Sequence, residues 1–223
     1  MSDQTPDRYV PALGVHWLTP AYDTVVRLTT RERAFKSALM EQASIEPGHR
    51  ILDLACGTGT LAVWLKQRHP QAVVTGIDGD PKVLGVARRK AHEAHVEIDF
   101  EQGLSIELPY EGDLFDRVLS SLFFHHLSWP DKQRTAAELF RVTRRGGELH
   151  VADWGRAGNP MLRAAFYAVQ GMDGFENTRD NVEGRLIDLF IEAGFTDVAE
   201  RRTFTTMFGT MSCYSALKPK VTS

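Results

Sequence analysis

One stretch constrains the fold of this chain more than any other: residues 50–65, which read R-I-L-D-L-A-C-G-T-G-T-L-A-V-W-L. A short apolar segment carries one acid, Asp53, and a turn with Gly57 and Gly59 follows it. Apolar residues then recur at helical spacing from Thr60 onward. A glycine turn between a buried strand and a helix lets a ligand approach the backbone and the free N–H groups that open the helix. The stretch therefore predicts an α/β fold with a nucleoside-type ligand at this turn.

Beyond this stretch, segments suited to strands alternate with segments suited to helices, which predicts a parallel sheet with helices on both faces. The predicted strands span residues 51–54, 72–77, 96–102, 115–122, 148–154, 198–206 and 211–217. A short turn joins the last two, which predicts an antiparallel pair that the simple dinucleotide-binding fold lacks. The second strand leads into Asp78, an acid about twenty residues after the glycines that can bind both hydroxyls of a ribose.

Composition excludes several classes of protein. The 223 residues are enough for one domain with a full core. The net charge is −3 and there is no extended basic tract, so we expect no nucleic-acid partner. Two cysteines, Cys56 and Cys213, are too few for a disulfide framework or a thiolate metal cluster, and we expect no metal site. Without a membrane-length apolar run or a signal peptide, the sequence predicts a cytoplasmic protein.

Six short motifs follow one another in a fixed order: D-L-A-C-G-T-G, I-D, L-P-Y, F-D-R-V, H-H-L and R-G-G. As an ordered set over about residues 50–217, they resemble the class I S-adenosylmethionine (SAM) methyltransferases of the small-molecule type, related to those of ubiquinone and menaquinone biosynthesis. The resemblance implies a Rossmann-like methyltransferase fold, mostly parallel and seven-stranded, with an antiparallel terminal strand and helices on both faces. It also implies methyl transfer from SAM to a small-molecule acceptor, with release of S-adenosylhomocysteine. A quinone or aromatic metabolite is the first expectation, and O-, C- and N-methylation stay open.

The resemblance also implies a set of cofactor-binding residues along the carboxyl edge of the sheet. They are Asp53, Ala55, Cys56, Gly57, Gly59, Asp78, Gly79, Gly103, Leu104 and Ser120. Leu104 departs from the family pattern, because it stands where the family's acid accepts a hydrogen bond from the adenine amino group. Gln102 and Ser105 are the alternatives for that contact. Loss of one such hydrogen bond would weaken cofactor binding by about 0.5–1.5 kcal/mol.

Three polar residues follow the fourth and fifth strands, at the edge where an open α/β sheet binds its ligand. His125 and His126 come after the fourth strand, and Asp153 ends the fifth. Each histidine is a candidate for the general base or a substrate contact, or for a hydrogen-bonded residue that fixes the loop. Asp153 is a candidate for orienting or deprotonating the substrate, or for capping the turn. A base is needed only if the methyl acceptor holds a proton at its working pH.

Two segments are predicted to cover the substrate: an N-terminal helical lid at residues 1–47 and an insertion at about 156–180 within the methyltransferase domain, 48–223. The candidates for substrate binding are His16, Trp17, Tyr22, Trp154, Tyr167 and Phe175. The alternative for each of them is packing in the core.

Two other functions are compatible with parts of the sequence. A nicotinamide oxidoreductase would use a similar glycine turn, but Asp53 and the terminal strand pair disfavour it. A non-catalytic protein that binds SAM or a protein partner on the same fold is the second alternative, and Leu104 lends it weight. The predicted partner is a small-molecule substrate. The oligomeric state stays open, with a homodimer as one option.

Overall fold

The computed structural model describes residues 31–158, 160–173 and 175–220. Its seven strands are β1 Arg50–Leu54, β2 Val73–Asp78, β3 Asp99–Gln102, β4 Phe115–Ser121, β5 Thr143–Trp154, β6 Thr196–Thr206 and β7 Gly209–Leu217. They form a single sheet in the order β3-β2-β1-β4-β5-β7-β6. β7 runs antiparallel to both of its neighbours, and the other four pairings are parallel. The predicted fold class is therefore confirmed, including the antiparallel strand near the sheet edge.

Seven helices are described: α1 Glu32–Gln42, α2 Thr60–Arg68, α3 Pro81–Glu93, α4 Trp129–Val142, α5 Pro160–Asp173, α6 Phe175–Val182 and α7 Leu186–Glu192. Two of them begin with side-chain caps. Asp80 caps α3 by accepting from the N–H of Lys82, and Ser128 caps α4 by accepting from the N–H of Asp131. No described helix is both long and apolar enough to cross a bilayer.

The core has two parts, one on each face of the sheet, because side chains alternate along a strand. Ile51 points to the face that α1 and α2 cover, where it joins Phe35 and Leu65. Leu52 points to the opposite face, where it joins Leu139 of α4. Both faces of β1 are therefore covered by helices, and only the ends of the strand can reach a ligand.

Several predicted boundaries were wrong. β3 begins at Asp99 rather than at residue 96, and β5 begins at Thr143, five residues before the expected start. The sequence at 171–177, G-M-D-G-F-E-N, predicts a loop, but this segment is largely helical. The helix predicted at 182–193 begins at Leu186. α6 is helical although its polar sequence has a weak helix preference. Its polar side chains contact other elements of the fold, and these tertiary contacts override that preference. The spacing of Thr29 and Glu32 predicts a capping box at the start of α1, but Thr29 lies outside the described residues.

The described part of the predicted N-terminal lid, residues 31–47, packs onto the sheet. Phe35 and Leu39 are fully buried, and the side chain of Arg117 donates to the carbonyl of Ala43 at 2.6 Å. Residues 1–30, with His16, Trp17 and Tyr22, lie outside the described residues. The role of this segment as a lid stays a prediction.

Candidate active site

The glycine turn after β1 has residues with left-handed backbone conformation, and it leaves open space at Gly57. Ala55, Gly57 and Gly59 all have positive φ, at 53°, 53° and 75°. A Cβ added at Gly57 would meet nothing within 4 Å, whereas one at Gly59 would lie 2.8 Å from the Cβ of Ala87 on α3. Gly59 therefore allows α2 and α3 to pack, and Gly57 leaves room for a ligand to approach the backbone.

Asp53 is a buried carboxylate beside this turn, with an exposed fraction of 1%. Burial raises the pKa of Asp53 to about 7, although the positive charge of Lys36 and the N–H of Ala62 oppose the rise. Its Oδ2 atom has no hydrogen-bond partner among the described residues. A buried acceptor without a partner is costly, so this oxygen is suited to receive a donor from a ligand.

Asp78 stands at the end of β2, directly across from the glycine turn. One carboxylate oxygen accepts from the N–H of Gly57 and the other from the N–H of Asp80, both at 2.9 Å. Burial raises the pKa of Asp78, and these backbone donors oppose the rise. The turn and the tip of β2 are thereby held together at the carboxyl edge of the sheet.

The next strand end, at Gly103 and Leu104, offers no acid. The N–H of Gly103 donates to the carbonyl of Asp78 at 3.1 Å, and the Leu104 side chain is 42% exposed. Both alternatives for the missing acceptor have other contacts. Ser105 Oγ lies 2.9 Å from Thr135 Oγ1, and Gln102 Nε2 donates to the carbonyl of Gly79 at 3.3 Å.

Two of the predicted cofactor residues contribute to packing through their side chains. Ser120 is fully buried, and its hydroxyl donates to the carbonyl of Leu54 at 3.1 Å, which ties β4 to β1. The Cys56 side chain is buried, and burial raises the pKa of its thiol. A protonated, buried thiol is unsuited to nucleophilic chemistry.

Asp153 organises the loop that follows β4. One of its oxygens accepts from the N–H groups of Phe123 and Phe124, at 3.0 and 2.7 Å. The other lies 2.7 Å from Nδ1 of His125 and accepts from the N–H of Trp154 at 2.7 Å. Although burial alone would raise it, the charge of His125 and these donors hold the pKa of Asp153 below its usual value. Asp153 therefore both caps the loop and orients the His125 ring.

His126 lies against His125, with 3.9 Å between the ring centroids. Burial, reinforced by the charge of His125, lowers the pKa of His126 to about 3. His126 is therefore neutral near pH 7. The carbonyl of His126 accepts from the side chain of Asn177 on α6 at 3.1 Å, so α6 also positions this loop.

Comparison with known proteins assigns the chain to a family. A family model described as a methyltransferase domain matches residues 51–147. An uncharacterized methyltransferase from Synechocystis is 32% identical over 181 residues, which cover 79% of this chain and 82% of that relative. The chain belongs to the class I SAM-dependent methyltransferases. The resemblance found in the six motifs is thereby confirmed.

Two further matches show how much of the chain this similarity covers. A demethylmenaquinone methyltransferase from Deinococcus radiodurans is 32% identical over 151 residues, 67% of this chain and 62% of that relative. The chain thus spans less than two thirds of the length of that protein. A solved structure of a methyltransferase from Bacillus halodurans has a TM-score of 0.68 at 20% identity, covering 83% of this chain and 99% of that one. That structural likeness concerns the fold.

SAM is the cofactor of this family, and the residues of the methyltransferase fit it. The Oδ2 of Asp53, which has no partner within the described ranges, would suit the ammonium of the methionine part. Gly57 leaves open space, and Asp78 stands at the strand tip where a ribose would bind. The side chain of Leu104 cannot accept the hydrogen bond from the adenine amino group that the family's acid accepts.

The predicted substrate residues that the structure describes lie in different surroundings. Trp154 is buried and packs against Phe166, with 5.3 Å between the ring centroids. Tyr167 is half exposed, and the guanidinium of Arg163 lies 4.9 Å from the centroid of its ring. The side chain of Phe175 lies outside the described residues. Substrate roles for Trp154 and Tyr167 stay predictions.

A buried polar cluster beside the histidine loop was missed from the sequence. Lys132 of α4 is fully buried, and its Nζ lies 2.5 Å from the carbonyl of Asn177 and 3.4 Å from Asp180. Asn181 donates to the carbonyl of Trp154 at 3.3 Å. The available signal was that Lys132 falls in helical phase with the apolar stripe of α4, since Ala136 lies four residues on.

Proposed function

We propose that this methyltransferase transfers the methyl group of SAM to a small aromatic or quinone-type acceptor and releases S-adenosylhomocysteine. The observation that carries the proposal is the buried Asp53 beside an open glycine turn, because its Oδ2 has no hydrogen-bond partner in the part of the chain that the structure describes. The name of the Deinococcus radiodurans relative, a demethylmenaquinone methyltransferase, supports a quinone-type acceptor. We also propose that the protein acts in the cytoplasm; its oligomeric state stays open.

The cofactor supplies an activated methyl group on a sulfonium, so the protein mainly aligns the acceptor and excludes water. Asp53, the backbone around Gly57 and the carboxylate of Asp78 would hold the cofactor. Asp153 holds the loop after β4 and the His125 ring in place. The Trp154 ring lies next to the His125 ring. These contacts would fix the reacting carbon or oxygen of the acceptor relative to the methyl group.

Of the two histidines, we propose His125 as the general base where the acceptor holds a proton. Its Nδ1 faces Asp153, so Nε2 is the nitrogen that would take the proton, and the carboxylate would stabilise the resulting cation. His126 is a poor base near pH 7 because its pKa is lowered to about 3. Deprotonation of a phenol-type hydroxyl would make both its oxygen and the ring carbons ortho and para to it nucleophilic.

Calorimetric titration with SAM, S-adenosylhomocysteine and NAD in parallel tests the cofactor. We expect micromolar binding of both sulfur nucleosides and none of NAD. A screen with methyl-labelled SAM and demethylated quinols then tests the acceptor class. If the protein bound SAM but methylated nothing, the non-catalytic alternative would be favoured. If it bound only NAD, the proposal would be overturned.

The His125→Asn variant tests the base. With an acceptor that holds a proton, we expect kcat to fall by roughly 100- to 10,000-fold, the usual range for loss of a general base. SAM affinity should stay within about twofold, because His125 is placed on the acceptor side. His92→Asn, on the exposed face of α3, is the matched control. An unchanged kcat in the His125 variant would remove this residue from the mechanism.

A further inference from the structure

Helix α1 brings a buried ion pair close to the proposed cofactor site. Glu32 and Lys36 lie one turn apart, are 7% and 8% exposed, and are joined by 2.6 Å between Nζ and Oε1. Burying two charged side chains is expensive, and a lone pair of this kind often adds no stability. Because burial of this pair costs free energy, we considered whether one of its side chains binds a ligand.

The direction of α1 places this pair at the ligand-binding edge of the sheet. At the far end of the helix, Gln42 donates to the carbonyl of Tyr214 at 2.9 Å, next to His150. Nearer its start, the carbonyl of Phe35 faces Cys213, which pairs with Ala152 of β5. Ala152 directly precedes Asp153. The helix therefore starts at the carboxyl edge and runs away from it.

Asp53 lies on the same face of the sheet as this pair. Ile51 shares a core cluster with Phe35, and side chains two residues apart on a strand point to the same face. The positive charge of Lys36 lowers the pKa of Asp53, as expected for neighbours. An ammonium group has three donors, so Nζ can contact Glu32 and still donate to another acceptor.

We propose that Lys36 binds the carboxylate of the methionine part of SAM, next to the ammonium that Asp53 receives. This inference rests on the proposed function and adds a residue from α1 to the cofactor site. A zwitterionic amino acid carries one negative and one positive group, which Lys36 and Asp53 complement. Glu32 orients the Lys36 side chain through its ion pair, so the pair would serve to place Nζ for the ligand.

The test compares SAM with decarboxylated SAM, which lacks only this carboxylate. In calorimetric titrations we expect the wild-type protein to prefer SAM by roughly 10- to 100-fold, the effect of one charge-assisted hydrogen bond. Lys36→Met should bind both ligands with similar affinity, and Lys36→Arg should retain the preference. Lys66→Met is the matched control, because Lys66 donates to the carbonyl of Ala72 on the same side of the sheet and should leave the preference intact.

Three outcomes would overturn the inference. If the wild-type protein bound SAM and decarboxylated SAM equally well, the inference would be overturned. This result depends on no variant, so it holds even if Lys36→Met fails to fold. A Lys36→Met variant that kept the full preference would assign Lys36 to charge balance around Glu32 and Asp53 alone. Binding of neither ligand by the wild-type protein would overturn the proposed function itself, which separates the two failures.

Discussion

At the scale of single residues, Asp53 has two roles that depend on its ionisation. In the free protein its burial raises the pKa to about 7, so the carboxyl is largely protonated below that pH. A ligand ammonium would require the ionised form. The unliganded fold and the cofactor therefore favour opposite protonation states of the same group.

This opposition predicts a pH dependence of cofactor binding. SAM affinity should rise roughly tenfold between about pH 6 and pH 8, as the ionised fraction of Asp53 increases. The stability of the free protein should change the other way. A carboxyl whose pKa is raised on folding contributes stability below its unfolded value, near 4, and loses it as the pH rises through about 7. Titration calorimetry and urea unfolding across this range measure both effects, and Asp53→Asn should abolish both.

Substitutions of Gly57 and Gly59 should affect SAM binding and the stability of the fold to different extents. Gly57→Ala should weaken SAM binding by at least about tenfold, because the added methyl group enters the open space, while stability falls by only about 1 kcal/mol. Gly59→Ala should lose about 1–3 kcal/mol of stability, because its Cβ would lie 2.8 Å from Ala87. Urea unfolding and calorimetry on both variants give the comparison. Equal effects on both properties would contradict the separation.

At the scale of elements, α6 is held by buried polar contacts in addition to the core residue Val182. Thr178 and Asn181 are fully buried, and Lys132 reaches the helix from α4. Because α6 also donates to the carbonyls of His126 and Trp154, its position sets the two loops around Asp153. The helix thus links the insertion to the proposed reaction centre.

This arrangement predicts that Lys132→Met will destabilise the protein by about 1–3 kcal/mol, since it leaves a buried carboxylate with fewer partners. Asp180 keeps Arg185, at 2.6 Å, which limits the loss. Lys82→Met, on the exposed side of α3, should be neutral. Urea unfolding of Lys132→Met, of Asp180→Asn and of the double variant measures the coupling, with Lys82→Met as the control. An additive double variant would contradict a direct interaction.

The elements that sequence could predict are those with a local pattern. The positions of β1, the glycine turn and Asp78 at the end of β2 follow from apolar runs and glycines that need positive φ, and these positions were predicted correctly. α6 was missed because its burial depends on partners distant in the chain. Lys36 and Lys132 were missed as well. A lysine is normally solvated, so its burial can be recognised only when the packing is known.

At the scale of the whole molecule, the strand order separates this protein from the nicotinamide-binding enzymes more clearly than the glycine turn does. SAM at about 100 times its Kd should add about 2.7 kcal/mol of stability, or about 5–10 °C in Tm for a domain of this size. NAD at the same concentration should give no shift. Thermal unfolding followed by fluorescence measures both, and a shift with NAD alone would contradict the assignment.

β7, the last described strand in the chain, lies inside the sheet between β5 and β6. During synthesis, β5 and β6 leave the ribosome before the strand that joins them, and β6 has no other neighbour among the described strands. In the nascent chain, β6 and one edge of β5 therefore stay unpaired until β7 has emerged. Such edges readily pair with other chains, so the ribosome-bound intermediate is the stage at which this protein most needs a chaperone.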